Sequence, residues 1–241
     1  MLRGDDVAEL QRRLGELGFD AGRVDGIFGD HTATALADFQ RNLDLTVDGI
    51  CGPATVEALT RLTPRTGGGS VAEVRERDRL RRGAPGLTGR RVAVGHPGGL
   101  PALVDAVVRE LSRAGADAVS LTDPDGSAQA AQANAVEVDA YIGFHLDPGR
   151  QGCAAAYYSG FRYESPGGKR LAELLAAALA ATLGLPDLGA QGMSLPVLRE
   201  TRMPAVVCEI GPPAAVVEGM ARLGPAVARA LRDWAAAPCE E

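Results

Sequence analysis

Aromatic side chains are scarce in this sequence: one Trp, four Tyr and five Phe among 241 residues. A core must therefore be built mainly from Ala, Leu and Val. Cysteine is scarcer still, with four residues and no CxxC pair. That spacing argues against a cysteine-built zinc site and gives no sign of a disulfide framework. Basic charge is not in excess either. Lys and Arg number 25 against 31 Asp and Glu, a formal net charge of -6, which argues against a nucleic-acid partner. The arginines that do cluster (Arg79, Arg81, Arg82, Arg90, Arg91) lie in or beside a polar stretch that reads as a solvated linker. No run approaches the roughly 20 apolar residues that span a bilayer, and Leu171 to Leu185 reads as a packed helix. The first residues show no charged segment followed by an apolar one. As written the chain reads as cytoplasmic, or as a cell-wall or extracellular protein if a leader has been removed.

What remains is a soluble globular composition, 46% hydrophobic and 23% charged, long enough for one or two domains and one sizeable core. Histidine is rare, and its placement is informative. His96 follows the apolar run Arg91-Val92-Ala93-Val94-Gly95, and His145 follows Tyr141-Ile142-Gly143-Phe144. A third apolar run, Pro204 to Cys208, ends at Glu209. Ligands of open α/β sheets bind beyond the carboxyl ends of the strands. Two imidazoles and a carboxylate at such ends are the residue types that hold or work beside a metal. His31, at the start of a predicted helix, reads as a surface residue.

Residues 1–62 read as a small three-helix unit. Val7, Leu10, Leu14 and Leu17 recur at helical spacing, with Asp5 or Asp6 suited to the N-terminal cap. Asp30 can cap a second helix carrying Thr34, Leu36 and Phe39, and Pro53 opens a third carrying Val56, Leu59 and Leu62. A phrase repeats between them: Val24-Asp25-Gly26-Ile27-Phe28-Gly29, then Val47-Asp48-Gly49-Ile50-Cys51-Gly52. Residues 63–88 read as a linker with a short polar helix in its middle. Residues 89–241 alternate strand signals near 91–94, 117–121, 140–144, 153–159 and 204–208 with helix signals near 100–113, 127–135, 167–183 and 214–236. This alternation predicts an α/β fold, a mostly parallel sheet with helices on both faces.

Two resemblances sharpen this reading. Val7-x-x-Leu10-Gln11-x-x-Leu14-x-x-Leu17-Gly18, Asp25-Gly26-x-Phe28-Gly29-x-x-Thr32, Phe39-Gln40 and Asp48-Gly49-x-x-Gly52-x-x-Thr55 together resemble the three-helix peptidoglycan-binding domain. Residues 89–241 resemble the zinc-dependent N-acetylmuramoyl-L-alanine amidase family. The stretch Ala133-Asn134-Ala135 through Asp139 to His145 is similar to the family's run into a zinc-binding histidine. The segment Leu195 to Gly211, with Met203-Pro204-Ala205-Val206-Val207-x-Glu209, is similar to its closing segment with a catalytic glutamate. The resemblance implies an amidase-like fold that cleaves the bond between muramic acid and the stem peptide. It also implies His145 as a zinc ligand and Glu209 as the acid/base. Aligning the Gly-His of Val94-Gly95-His96-Pro97-Gly98-Gly99 makes His96 a ligand too, whereas aligning its Gly-Gly puts Pro97 there. The family's middle ligand, a glutamate at the entry of the next helix, has no counterpart, and Asp105 lies a turn too deep.

The resemblance thus implies peptidoglycan or its precursors as ligand and hydrolysis of the muramoyl–L-alanine amide. The alternative is a catalytically inactive homologue acting as a cytoplasmic regulator or binder in peptidoglycan synthesis, with a protein partner there. One such member type carries a similar Asp-Gly-Ile-Cys-Gly-Pro phrase and Gly-Gly-Ser linker. A nucleotide-binding α/β protein fits poorly, because His96-Pro97-Gly98-Gly99 is neither a GxGxxG nor a P-loop.

Overall fold

A computed structural model describes residues 4–62, 71–83, 85–160 and 163–239. Residues 63–70 of the expected linker lie outside the described residues. The chain divides into two compact units, one within Met1–Ser70 with Ser159–Glu164, the other Val71–Tyr158 with Ser165–Glu241.

The first unit contains three helices, α1 (Asp5–Glu16), α2 (Asp30–Asn42) and α3 (Pro53–Leu62). Leu10, Leu14, Ala35, Leu36, Phe39, Ala58 and Leu59 form its core, and Phe19 meets Phe39 edge to face. Thr34, Val56 and Leu62 are exposed instead. The cap positions belong to Gly4 and Gly29, not to the expected aspartates. Asp5, Asp6 and Asp30 lie in the first turns, where their charge still opposes the helix dipole.

The repeated phrase has a physical basis in two buried glutamines. Gln11 Nε2 donates to Asp25 Oδ1, to the Ile27 carbonyl and to Thr32 Oγ1, while its Oε1 accepts from the amides of Asp25 and Gly26. Gln40 repeats this one element later, donating to Asp48 Oδ1, the Ile50 carbonyl and Thr55 Oγ1 and accepting from Gly49. Each glutamine ties a helix to the Asp-Gly turn and the threonine of the following helix. A buried amide so satisfied fixes the loop that apolar packing alone would leave loose.

In the second unit the elements are α4 (Val71–Arg82), β1 (Arg91–His96), α5 (Pro101–Arg113), β2 (Asp117–Thr122), α6 (Gly126–Val136), β3 (Ala140–Leu146), β4 (Gly152–Gly160), α7 (Pro166–Leu183), β6 (Asp187–Met193), α8 (Pro196–Glu200), β7 (Ala205–Gly211) and α9 (Pro213–Ala236). The sheet runs β2-β1-β3-β7-β4, with β6 beside β4. The short β5 (Tyr163–Glu164) pairs with Ser159 and Gly160 at the end of β4. β1, β2, β3 and β7 are mutually parallel, and β4 is antiparallel to β7. The sheet is therefore mixed but mostly parallel, with helices on both faces.

Side chains alternate across it. Val92, Val94, Ala140, Ile142, Phe144, Val206, Cys208 and Ile210 pack with α5, α7 and α9. Ala93, Tyr141, Ala156 and Ala205 pack with α6 and α8 on the other face. Trp234, the one tryptophan, ties α9 to α7 by donating Nε1 to the Gly167 carbonyl at 2.9 Å, beneath the Arg90 guanidinium. Residues expected within the linker form α4, which packs on α7: Leu80 is buried in the larger core, and Glu76 accepts from Ser165 Oγ at 2.8 Å and Gly167 N at 3.2 Å. No described helix is long and apolar enough to cross a membrane.

Candidate functional site

The carboxyl ends of β3 and β7 carry the candidate site. His145 and Glu209 stand directly opposite one another in the parallel register of these strands. Neighbouring residues in register share a face, so both side chains leave the sheet on the side of α6 and α8. His145 is exposed and Glu209 half-buried. On the other flank of Glu209 stands Ala154 of β4.

The β3–β4 turn closes this mouth. Asp147, Pro148, Gly149 and Arg150 form it, with Arg150 N donating to the Asp147 carbonyl at 3.1 Å and Gly149 N to Asp147 Oδ1 at 3.0 Å. Asp147 N in turn donates to the Ile210 carbonyl at 3.0 Å, fastening the turn to β7. Gly211 makes this approach possible, because a Cβ there would lie 2.1 Å from the Asp147 carbonyl oxygen and 2.7 Å from that of Arg150. From this turn the Arg150 guanidinium reaches Glu209, donating Nη2 to Oε2, and its Nε lies 3.4 Å from Asp147 Oδ2. The Arg150 side chain is only 8% exposed and that of Glu209 14%, so the pair is largely withdrawn from solvent. Nothing in the sequence singled out Arg150 or Asp147.

His96 is elsewhere. It is the last residue of β1 and is buried, not a loop residue beyond the strand. β1 and β3 pair with Gly95 against Gly143, which puts His96 level with Phe144, on the face of α5. Its Nδ1 accepts from Gly98 N at 3.1 Å, which in a neutral ring leaves Nε2 to donate to Thr122 Oγ1 at 3.1 Å. Both ring nitrogens are thus engaged within the protein. Gly95, beside it, fills another role. A Cβ there would come within 2.3 Å of both Gln129 Oε1 and Tyr141 Oη, which hydrogen-bond each other beneath the sheet. Asp105 is exposed on α5.

A catalytic zinc needs about three protein ligands and one open position. The described residues do not fit that requirement. His145 and Glu209 share a face, His96 points to the other, and the Glu209 carboxylate already holds a guanidinium. Among the described residues no group of three or more His, Cys, Asp or Glu is placed to hold a metal. The cysteines supply no substitute, as all four are free thiols. Burial pushes the Cys153 thiol up to about 11 and that of Cys208 higher still.

Residues 3–59 match the family model of a putative peptidoglycan binding domain, and residues 103–212 match that of N-acetylmuramoyl-L-alanine amidase. The second match includes His145 and Glu209 and begins beyond His96. The N-acetylmuramoyl-L-alanine amidase CwlM of Mycobacterium tuberculosis is 35% identical over 240 residues, covering 87% of this chain and 59% of that protein. A spore cortex-lytic enzyme of Bacillus cereus is 48% identical over 60 residues, covering 25% of this chain and 23% of its own length. The chain thus spans less than two thirds of these relatives. Among solved structures, the N-acetylmuramyl-L-alanine amidase Ami1 of Mycobacterium smegmatis superimposes with a TM-score of 0.54 at 18% identity, over 62% of this chain and 98% of that one. The N-acetylmuramoyl-L-alanine amidase of Clostridium difficile 630 gives 0.51 at 17% identity, over 61% and 97%. At such identities these two establish the fold.

Proposed function

We propose that the chain joins a peptidoglycan-binding domain to a domain of the N-acetylmuramoyl-L-alanine amidase family, and that it engages peptidoglycan, or precursors of it, at the muramoyl–L-alanine junction. The observation that carries the reading is the pairing of His145 with Glu209 at the carboxyl ends of adjacent parallel strands. An amide laid across that mouth meets an imidazole and a carboxylate side by side, in the region where ligands of α/β sheets bind. Hydrolysis of the junction is the reaction of the family. In that reaction Glu209 is the residue to take a proton from water and pass it to the leaving amine, once Arg150 releases it.

A second reading is favoured by two specific observations. His96 faces away from the mouth, and Arg150 occupies Glu209. Both suit a catalytically inactive homologue that binds the polymer or its precursors and acts through a protein partner in peptidoglycan synthesis, with a cytoplasmic location. Incubation of the full chain with purified sacculi separates the two. Release of stem peptides that is lost in Glu209→Gln identifies the hydrolase, and sedimentation with sacculi without release identifies the binder. A protein that neither sediments with nor digests sacculi contradicts both.

A further inference from the structure

The mouth of β3 and β7 contains a cation of its own. We propose that Arg150 is a positioning residue that serves as the built-in counter-ion of Glu209 and Asp147, taking the electrostatic role that a divalent metal plays beside such carboxylates, so that this chain engages its ligand in a metal-free state. The inference rests on the peptidoglycan reading for the ligand, and on geometry alone for the ion.

Arg150 is not a surface arginine that swings across by chance. Its turn is fastened to β7 by the Asp147–Ile210 hydrogen bond, and Gly211 is the residue that lets the two carbonyls of the turn lie against the strand. The side chain is buried, with one carboxylate at Nη2 and a second beside Nε. One guanidinium thus stands against two carboxylates, hydrogen-bonded to Glu209 and within ion-pair distance of Asp147. A divalent cation on Glu209 would sit in contact with that guanidinium, and like charges in a withdrawn site repel strongly.

The test compares the full chain with Arg150→Met, Arg150→Lys and the double variant Arg150→Met/Glu209→Gln. Each is incubated with zinc chloride, desalted, analysed for metal and melted with and without added zinc. Wild type and Arg150→Lys are expected to hold little zinc and to melt at the same temperature with or without it. Arg150→Met is expected to melt below wild type, because Glu209 and Asp147 lose their cation, and the double variant to recover part of that loss. Stoichiometric zinc in the wild type overturns the proposal, and so does an Arg150→Met protein that melts at the wild-type temperature. If Arg150→Met does not fold, the zinc content of wild type and Arg150→Lys decides the matter. Sacculus binding is scored separately, so failure of the peptidoglycan reading is distinguishable from failure of this one.

Discussion

His96 and His145 lie at the carboxyl ends of adjacent parallel strands, on opposite faces of one sheet. The register that sets Gly95 against Gly143 places His96 with Phe144 on the side of α5, and His145 with Glu209 on the side of α6. Two histidines that look equivalent along the chain therefore do unlike work. His96 is a buried bridge between β2 and the loop entering α5. Its replacement by alanine removes both hydrogen bonds and leaves a cavity at a buried position, and should cost about 2 kcal/mol. His145→Ala, at an exposed position, should change stability by less than about 0.5 kcal/mol. Urea unfolding of the two variants checks the contrast.

Arg150→Ala leaves Glu209 and Asp147 without their shared cation. Breaking a buried ion pair from one side typically costs 3–5 kcal/mol, and because Glu209 retains some exposure the lower end, about 3 kcal/mol, is expected. Glu209→Gln in the Arg150→Met background should recover part of the loss. A double-mutant cycle should return a coupling of about 1–3 kcal/mol.

Gln40→Ala should loosen the first unit by about 1–3 kcal/mol, since Asp48, Thr55 and the Gly49 amide lose a partner together. Amide exchange should rise around residues 48–55, while protection in β1, β3 and β7 stays unchanged. Gln11→Ala should do the same around residues 25–32.

Glu76 links the ionisation of α4 to the stability of the second unit. Burial raises its carboxyl from 4.5 to about 7, against the lowering effect of the Ser165 and Gly167 hydrogen bonds, with Glu73 raising it further and Arg77 lowering it. The folded protein therefore binds a proton that the unfolded chain releases. The contribution is complete below 4.5 and declines as pH rises from there to about 7. Melting temperatures of wild type should fall across that window more steeply than those of Glu76→Gln.

Much of the fold was legible because its signals are local. The apolar runs before His96, His145 and Glu209 became β1, β3 and β7, and the Asp-Gly phrase became the glutamine-braced turns of the first unit. β6 was missed because Asp187-Leu-Gly-Ala-Gln-Gly-Met has few apolar residues and two glycines, and it gains its order from pairing with β4. α8 is only one turn long. At the site, the choice of His145 and Glu209 needed only the strand ends, but their adjacency depends on β7 lying next to β3. The facing of His96 depends on a register that no local pattern fixes. Arg150 sits in an Asp-Pro-Gly-Arg turn that reads as any solvent-facing turn until β7 brings Glu209 beneath it.

The most direct test is calorimetric titration of the full chain with N-acetylmuramoyl-L-alanyl-D-isoglutamine in buffer containing a chelator, alongside N-acetylmuramic acid and the free dipeptide. Saturable binding that requires both halves of the junction, persists without metal and weakens in an Arg150→Ala/Glu209→Ala protein that remains folded is the expected result. No binding of the joined ligand, or equal binding of its separate halves, would contradict recognition of the muramoyl–L-alanine junction at this mouth.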